Sequence, residues 1–308
     1  MKASLHLALL RTAGLSPKKS FGQNFLISDA VLASIARACV PDGEQGSARV
    51  VELGAGLGAL TSALTSRAAH VTAVERDRDL VPVLEAALRE TIESGALTVL
   101  EADAQSLDLE SLFALATASS APRVLAGNLP YQITGQLLRL AVGYARHVDR
   151  VVFMVQEEVA ARIVAAPGTE AYGALSVFVQ AAFAARIVLG VPASAFVPPP
   201  RVSSAVVALT PHRPPLAEET PTFRALVKGA FGARRKTLRN AWRTVARDLA
   251  QLEAAAAAAG VSLDARGETL DVLAYARVAR ALDDATAASP TSVIAVTSAD
   301  SGTPDRST

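Results

Sequence analysis

The fold of this 308-residue chain is decided by residues 50–58, Val-Val-Glu-Leu-Gly-Ala-Gly-Leu-Gly. A mostly apolar run ends in three alternating glycines, Gly54, Gly56 and Gly58, and a helical spacing of leucines starts at Leu60. Glycines at such a junction let the backbone approach a ligand at the N-terminus of a helix. The stretch therefore predicts a buried strand, a ligand-binding turn and a helix.

Three more apolar runs follow, and each ends near a side chain that can bind a ligand. The predicted strands cover residues 70–74, 97–100 and 123–127. Glu75 can accept hydrogen bonds from both hydroxyls of a ribose, and Asp103 can accept one from an adenine amine. Asn128 follows the last of these runs. Because ligands bind at the carboxyl ends of strands in open α/β sheets, the four strands bring ligand-binding groups to one edge.

The turn after residue 127 reads Asn128-Leu129-Pro130-Tyr131. Asn128 and the carbonyl group of Leu129 can both accept hydrogen bonds from an exocyclic amine. Pro130 fixes its own φ and keeps Leu129 extended, and Tyr131 offers a ring face for stacking. These four residues predict a small cage for a flat base. The alternative is an ordinary strand-to-helix turn, in which the asparagine caps the helix and the tyrosine fills the core.

The glycines do not identify the ligand by themselves. Gly54, Gly56 and Ala59 also fit the Gly-x-Gly-x-x-Gly/Ala pattern of dinucleotide sites, so an NAD site and an S-adenosylmethionine site are both open. The carboxylate of Asp103 and the turn at 128–131 favour S-adenosylmethionine as the ligand.

The composition excludes several classes of protein. Cys39 is the single cysteine, and the four histidines show no metal-ligand spacing, so we expect neither disulfides nor a metal site. No apolar stretch reaches about 20 uncharged residues, and the run at 5–10 lacks the features of a signal peptide. The formal net charge is +1, with 51% hydrophobic and 19% charged residues. We therefore expect a globular cytoplasmic protein without a membrane span.

Strand and helix patterns alternate between residues 50 and 156, which predicts a parallel sheet with helices on both faces. Two late apolar runs, 186–190 and 204–210, lack a crossover helix and predict an antiparallel hairpin at the sheet edge. A proline-rich linker over 211–221 precedes a wholly helical pattern. The predicted units are an α/β ligand-binding domain over 1–210, a helical domain over 211–284 and a disordered tail over 285–308.

Basic residues concentrate between positions 228 and 247, where no acidic residue interrupts them. Those at 236, 239, 243 and 247 recur at three- and four-residue steps, which predicts one face of a helix. Like charges so close together repel, which favours a polyanionic partner such as RNA. The alternative is a solvated basic surface. The seven cations are Lys228, Arg234, Arg235, Lys236, Arg239, Arg243 and Arg247.

Several segments together resemble the ribosomal RNA adenine dimethyltransferases, most closely their bacterial small-subunit members. Many methyltransferases share the glycine segment, whereas GQNFL and NLPY in this order are specific to the family. The resemblance covers about residues 11–280. The matching segments are FGQNFL (21–26), ELGAGLG (52–58), NLPY (128–131), QEEV (156–159), YGALSV (172–177), FVPPPRVSSAV (196–206) and RRKTLRN (234–240).

The resemblance implies a Rossmann-like class I methyltransferase domain with a seven-stranded sheet, and a small all-helical C-terminal domain that binds RNA. It implies S-adenosylmethionine as the cofactor, without a metal ion. The implied reaction adds two methyl groups to N6 of each of two adjacent adenosines in the 3′-terminal hairpin loop of 16S rRNA. The implied partner is 16S rRNA in an immature 30S subunit, and a monomer is sufficient for this reaction.

The same resemblance assigns roles to individual residues. Asn24 and Leu26 would close over the cofactor, and Gly54 would contact its methionine part. The implied cofactor-binding residues are Asn24, Leu26, Gly54, Gly56, Gly58, Glu75, Asp103 and Asn128. From the chemistry of the turn, the predicted catalytic residues are Asn128, Leu129, Pro130 and Tyr131, with Phe196 on the second face of the target base. The predicted RNA-binding residues are Lys18, Lys19, Arg234, Arg235, Lys236, Arg239 and Arg243.

The sequence leaves three alternatives open. The 23S rRNA adenine methyltransferases of the macrolide-resistance type share the fold, the cofactor and the chemistry. A ribosome assembly factor that binds RNA with little catalysis would use the same basic residues. An NAD-dependent dehydrogenase would use the glycine loop, although no hydride-transfer residues accompany it. The segments 196–206 and 234–240 look more like the small-subunit type.

Overall fold

The computed structural model describes residues 3–18, 21–114 and 121–287. Its strands are β1 (Phe25–Leu26), β2 (Arg49–Leu53), β3 (His70–Glu75), β4 (Leu97–Glu101), β5 (Arg123–Asn128), β6 (Arg150–Gln156), β7 (Phe183–Val191), β8 (Phe196–Val197) and β9 (Ser204–Pro211). Its α-helices are α1 (Ala3–Thr12), α2 (Asp29–Cys39), α3 (Ala59–Thr65), α4 (Val81–Ala87), α5 (Arg89–Glu93), α6 (Leu109–Ala114), α7 (Thr134–Gly143), α8 (Glu157–Val164), α9 (Ala174–Ala182), α10 (Pro221–Gly232), α11 (Leu238–Ala241), α12 (Leu249–Ala258) and α13 (Val272–Ala287).

Seven strands form one sheet in the order β4-β3-β2-β5-β6-β9-β7. Strands β2 to β6 pair in parallel, and β9 runs antiparallel to both of its neighbours, β6 and β7. The predicted late antiparallel hairpin is confirmed, with β9 inside the sheet and β7 at its edge. The order of strands reverses between β2 and β5. At such a point a crevice for ligands forms outside the carboxyl ends of the strands.

Side chains of the central strands alternate between two cores, one on each face of the sheet. Val50 and Val124 belong to a core shared with helices α2, α3 and α4. Val51 and Leu125 belong to the opposite core, which is shared with α6, α7 and α8. Because both faces are covered, these strands consist of nearly continuous apolar residues. This packing holds the carboxyl ends of β2 to β5 in fixed relative positions.

The C-terminal helices share a third core with α9 and the segment that precedes it. Tyr172 is fully buried and its hydroxyl donates a hydrogen bond to the carbonyl of Leu270 (3.0 Å). Trp242 is also fully buried, and its Nε1 donates to the carbonyl of Leu226 (2.8 Å). Residues on both sides of the predicted domain boundary at 210 therefore contribute to one core.

Two elements near the N-terminus were not predicted from the sequence. Helix α1 covers the apolar run at 5–10, and it packs against α4. Strands β1 and β8 form a separate two-stranded sheet, in which Phe25 pairs with Val197 and Leu26 with Phe196. This pairing attaches the N-terminal segment to the loop that precedes β9.

The basic segment 228–247 is not one helix, so the predicted single basic face is wrong. Helices α10 and α12 are separated by α11, which has only four residues. Lys236 precedes α11, whereas Arg243 and Arg247 follow it. The chain is not helical at residues 233–237 and again after Ala241, and the indole of Trp242 is buried in the core directly after α11. A helical spacing of charges therefore does not show that one continuous helix carries them.

Helix α13 continues to Ala287, three residues beyond the predicted end of the helical domain at 284. Residues 288–308, most of the tail predicted to be disordered, lie outside the described residues. In the described ranges, no helix combines the length and the apolar character that crossing a bilayer requires.

Candidate active site

A cavity of about 230 Å³ lies at the carboxyl ends of β2, β3, β4 and β5. The turns after these four strands line it, together with residues from the N-terminal segment. Gly58 and Phe196 are not among the lining residues. The predicted cofactor and catalytic residues that do line it are Asn24, Leu26, Gly54, Gly56, Glu75, Asp103, Asn128, Leu129, Pro130 and Tyr131.

The glycine loop between β2 and α3 leaves room for a ligand. A Cβ added to Gly56 would lie 3.4 Å from the ring of Phe25, in the passage between the loop and the N-terminal segment. Gly58 has a different role, because a Cβ there would lie 2.4 Å from Cδ1 of Leu84. Its missing side chain allows α3 to pack closely against α4, whereas Gly56 keeps the cavity open.

Glu75 ends strand β3 and is 8% exposed. Its Oε2 accepts a hydrogen bond from the main-chain N–H of Gly56 (2.7 Å), and its Oε1 accepts one from that of Asp77 (2.7 Å). Burial raises the pKa of this carboxyl group, and the two hydrogen bonds oppose that shift. Because a carboxylate offers about four acceptor positions, Glu75 can still accept the hydroxyls of a ribose.

Asp103 lies at the end of β4 and caps the short turn that follows. Its Oδ1 accepts a hydrogen bond from the main-chain N–H of Gln105 (3.0 Å), and its Oδ2 lies 3.3 Å from Nη1 of Arg76. The guanidinium of Arg76 lies over the ring of Phe21, 5.8 Å from its centroid. The cavity rim therefore has an aromatic ring and a cation beside the predicted adenine-binding carboxylate.

Residues 21–26, here called the N-terminal strap, cross the cavity and are held in place by Asp77. Gln23 donates from Nε2 to Asp77 (2.8 Å) and accepts from the main-chain N–H of Lys18 (2.8 Å). The Lys18 ammonium lies 2.6 Å from both Asp77 and Asp79. Burial alone would raise the pKa of Asp77, but the hydrogen bonds from Lys18 and Gln23 hold it below its usual value.

These contacts affect the RNA-binding role predicted for the two lysines before the strap. The ammonium of Lys18 is paired with two carboxylates, so a phosphate contact would compete with both. Lys19 lies outside the described residues. The position of Lys18 supports the strap directly, and its role towards RNA stays a prediction.

Asn128 connects the strap to the end of β5. Its Nδ2 donates a hydrogen bond to the carbonyl of Asn24 (3.2 Å), and Asn24 in turn donates to the carbonyl of Gly22 (3.0 Å). Because a carbonyl only accepts hydrogen bonds, this contact fixes the orientation of the Asn128 amide. Its Oδ1 therefore serves as an acceptor, as a base with an exocyclic amine requires.

The turn after Asn128 is held by hydrogen bonds to three neighbouring elements. The N–H of Leu129 donates to the carbonyl of Met154 (3.1 Å), and the hydroxyl of Thr134 donates to the carbonyl of Pro130 (3.0 Å). The hydroxyl of Tyr131 lies 2.8 Å from that of Ser204 on β9. The Tyr131 ring is therefore attached at its outer end, while its body lines the cavity.

Phe196 occupies a different environment from Tyr131. It is 2% exposed and packs in the core with Leu26, its partner across the small sheet. In this conformation its ring does not line the cavity. Its predicted place on the second face of a base requires the ring to become exposed when RNA binds.

Two residues that line the cavity, Glu52 and His6, and the glycine next to Asn128 were missed in the sequence. Glu52 lines the cavity at 1% exposure, accepts from the Thr61 hydroxyl (2.6 Å), and burial raises its pKa to about 8. Its signal was a lone charged residue within an apolar strand. Gly127 has no such signal, although a Cβ there would lie 2.6 Å from the carbonyl oxygen of Leu53. His6 also lines the cavity, and its sequence neighbourhood carries no signal of that.

The groups around the cavity fit a nucleoside joined to an amino acid. Carboxylates at the ends of β3 and β4 suit a ribose and an amine, and the glycine loop leaves a narrow passage beside Phe25. In the described ranges, no group of three or more histidine, cysteine, aspartate or glutamate side chains is placed to hold a metal ion. The sheet order, with one antiparallel strand next to its edge, and the position of this cavity define the class I methyltransferase fold.

The chain belongs to the ribosomal RNA adenine dimethylase family, whose sequence model matches residues 14–284. It is 47% identical over 282 residues to the ribosomal RNA small subunit methyltransferase A of Anaeromyxobacter sp. (strain K), covering 89% of this chain and 96% of that protein. The protein of the same name from Geobacillus thermodenitrificans (strain NG80-2) is 36% identical over 281 residues, covering 89% and 94%.

Two solved structures share the fold. A dimethyladenosine transferase from Plasmodium falciparum has a TM-score of 0.64 at 23% identity, covering 82% of this chain and 95% of that one. The 23S rRNA methyltransferase ErmE has a TM-score of 0.60 at 25% identity, covering 84% and 100%. The predicted family and class I methyltransferase fold are confirmed, and the dehydrogenase alternative is excluded.

Proposed function

We propose that the protein transfers methyl groups from S-adenosylmethionine to N6 of two adjacent adenosines in the 3′-terminal hairpin loop of 16S rRNA. The substrate is the immature 30S subunit, and the products are N6,N6-dimethyladenosines. One observation carries the proposal: the Asn128–Tyr131 turn lines the same cavity as the glycine loop and Glu75. The names of the small-subunit relatives support 16S rRNA as the target.

The residues that would hold the cofactor follow from their positions around the cavity. Glu75 would accept the ribose hydroxyls, and Asp103 would accept the adenine amine. The glycine loop would lie against the methionine part, and the N-terminal strap would cover it through Asn24 and Leu26. When bound, S-adenosylmethionine supplies an electrophilic methyl group on a sulfonium centre.

The Asn128–Tyr131 turn would hold the target base. The ring of Tyr131 would stack on the adenine, and Oδ1 of Asn128 and the carbonyl of Leu129 would accept the two N6 hydrogens. This arrangement draws the nitrogen towards a tetrahedral geometry and directs its lone pair at the methyl group. Alignment of this kind can lower a barrier by up to about 7–11 kcal/mol in favourable cases.

Each transfer needs no side-chain base. The N6 nitrogen would take up the methyl group that the bound cofactor supplies, and the sulfur would keep the electron pair of the broken bond. One N6 proton then leaves to solvent, because the methylated nitrogen is acidic before it loses that proton. The carboxyl groups that line the cavity are those of Glu52, Glu75 and Asp103, and each accepts a hydrogen bond from the protein.

The basic segment 228–247 would bind the rRNA backbone, and its cations differ in availability. Arg234 pairs with Glu268, and Arg239 pairs with Glu253. Four others are exposed and have no ionic partner within the described ranges, so they are free to contact phosphates and release counterions. These four are Lys228, Arg235, Lys236 and Arg243.

The proposed substrate also fixes the setting of the reaction. Immature 30S subunits are found in the cytoplasm, so we place the reaction there. One copy of the chain has both the cavity and the exposed cations, and we infer that a monomer is sufficient. A role as a ribosome assembly factor is compatible with the same surfaces.

Labelled S-adenosylmethionine offered to three substrates tests the proposal: 30S subunits that lack the dimethyl mark, 50S subunits and free 23S rRNA. Mass spectrometry of the products locates the label. We expect two adjacent dimethyladenosines near the 3′ end of 16S rRNA. Label in 23S rRNA would instead indicate a resistance-type enzyme. Cofactor binding without transfer to any substrate would contradict catalysis and favour an RNA-binding assembly factor.

A further inference from the structure

His6 is a residue of the N-terminal helix α1 that lines the cavity. Its side chain is 1% exposed, and it lines the same cavity as the glycine loop. Its Nδ1 lies 2.7 Å from the carbonyl oxygen of Leu57, which belongs to that loop. A Cβ added to Gly58 would lie 3.7 Å from Cε1 of the imidazole, so the ring lies next to the start of α3.

The contact with Leu57 determines the role of each ring nitrogen. A main-chain carbonyl only accepts hydrogen bonds, so Nδ1 of His6 must carry a hydrogen and donate it. Burial lowers the pKa of His6, which keeps the ring neutral at physiological pH. In a neutral imidazole the second nitrogen then has a lone pair and no hydrogen. Nε2 of His6 is therefore a hydrogen-bond acceptor.

That acceptor has no partner within the protein. Among the described residues, Nε2 of His6 is the only buried side-chain nitrogen or oxygen without a hydrogen-bond partner. An unsatisfied buried polar atom costs stability, and its presence in a folded protein needs an explanation. Because His6 lines the cavity, the explanation that fits is a donor on the bound ligand.

We propose that His6 is a cofactor-binding residue whose Nε2 accepts a hydrogen bond from the α-ammonium group of the cofactor's amino-acid part. This inference rests on the proposed function, which supplies S-adenosylmethionine as the ligand. The cofactor carries three kinds of donor: the ribose hydroxyls, the adenine amine and the ammonium. Glu75 and Asp103 suit the first two. His6 is bonded to the glycine loop, beside which the amino-acid part would lie, and therefore suits the third.

The remaining groups of the amino-acid part do not suit a neutral acceptor. A carboxylate has no hydrogen to donate, and neither does a sulfonium sulfur. An ammonium is a charged donor, and hydrogen bonds of that kind are stronger than neutral ones. Helix α1 is thus part of the cofactor site, although it precedes every segment that carries the family resemblance.

Two substitutions of His6 distinguish the role of Nδ1 from the role of Nε2. In His6→Asn, the amide nitrogen can take the place of Nδ1 and keep the bond to Leu57, but the acceptor at Nε2 is removed. In His6→Gln, the longer side chain can place an amide oxygen near the position of Nε2. Thermal melting without ligand shows whether each variant folds.

Calorimetry measures the binding of two ligands by the wild type and both variants. The first is S-adenosylhomocysteine, and the second is its deaminated analogue, which keeps the carboxylate, ribose and adenine. We expect His6→Asn to bind S-adenosylhomocysteine about tenfold or more weakly, since it cannot make the hydrogen bond to a charged group. It should bind the deaminated analogue within twofold of the wild type, and His6→Gln should recover part of the affinity.

The outcomes distinguish this inference from the proposed function. If the wild type binds both ligands and His6→Asn weakens both equally, His6 has only a packing role and the inference is wrong. If the wild type binds neither ligand, the proposed cofactor is wrong and the inference fails with it. A weakening confined to the ligand with the ammonium group supports the assignment.

Discussion

The cavity and the basic segment 228–247 both contain charged residues, but these differ in burial and in the partners of their charged groups. In the cavity, Glu75 is 8% exposed and both of its oxygens accept hydrogen bonds from the main chain. In the basic segment, Arg235 and Arg243 are exposed and have no ionic partner in the described part of the chain. A buried charge must be paired or hydrogen-bonded, whereas an exposed cation is stabilised by water.

This difference predicts how substitutions will act. A buried polar group is held in a single orientation by its hydrogen bonds. Its removal should therefore change the rate or affinity of the one step it serves by a large factor. An exposed cation contributes a small, salt-dependent share of RNA affinity, and neighbouring cations contribute similar shares. We therefore expect the largest effects in the cavity and the smallest in the basic segment.

Asn128→Ala tests whether the end of β5 positions the target base. The substitution removes the Oδ1 acceptor, so we expect turnover to fall by about 100-fold or more through misalignment. The affinity for 30S subunits should stay within about twofold, because few phosphate contacts change. Asn240→Ala makes the same chemical change in the basic segment and should leave turnover unaltered. An unchanged rate for Asn128→Ala would falsify the role assigned to this residue.

Gly127→Ala tests the packing that holds the cavity edge together. The added Cβ would lie 2.6 Å from the carbonyl oxygen of Leu53, so the strands β2 and β5 must shift. We expect the free energy of unfolding to fall by about 1–3 kcal/mol. Gly135→Ala is the matched control, because nothing lies within 4 Å of its added Cβ. At this exposed position of α7 it should stabilise by about 0.5–1 kcal/mol, and equal effects of both changes would contradict the close approach.

Glu52→Gln tests the buried carboxyl group of the cavity. Burial raises the pKa of Glu52 from 4.5 to about 8, so the folded protein binds its proton more tightly than the unfolded chain does. The stabilisation that comes from this tighter proton binding is complete below pH 4.5 and disappears as the pH rises to about 8. The decrease amounts to at most about 1.4 kcal/mol for each pH unit.

Urea unfolding at several pH values measures this effect. The wild type should become less stable between pH 5 and pH 8 relative to Glu52→Gln, which carries no titrating group at that position. Parallel pH profiles for the two proteins would mean that Glu52 is already ionised in the folded state.

The smallest effects are expected in the basic segment. Replacing Arg235 and Arg243 by glutamine should flatten the salt dependence of RNA affinity, by about 0.7–0.9 in logarithmic slope for each phosphate that is no longer neutralised. Arg239→Gln should change the slope less, because Arg239 already pairs with Glu253 and Asp264. Filter binding at several salt concentrations measures the slopes. If all three arginines contribute equally, the ion pairs do not limit RNA binding.

The sequence predicted the cavity more accurately than the basic segment, for a physical reason. The carboxyl ends of parallel strands must lie at one edge of a sheet. The residues after β2, β3, β4 and β5 therefore come together regardless of how the helices pack. The basic segment has no comparable constraint. Its charges recur at helical spacing, but the helices end at Gly232 and Ala241, so Lys236 and Arg243 both lie outside them.

Some site residues could not be recognised without the tertiary structure. His6 lies in a helix far from the glycine loop in sequence, and only folding places its Nδ1 beside Leu57. Gly127 looks like any small residue in an apolar strand until the approach of Leu53 is seen. The pairing of Lys18 with Asp77 joins residues 59 positions apart, and nothing local in the sequence indicates it.

The sequence alone determined the alternation of strands and helices between residues 50 and 156, the turns at the strand ends and the resemblance to a family, because each depends on short-range patterns. Continuous apolar runs, glycines and strand-end side chains act within a few positions of one another. The tertiary structure alone decided which charges are paired, which carboxyl group is buried and which helix places His6 at the cavity. Those properties depend on contacts between distant segments, where burial sets the free energy of every unpaired polar atom.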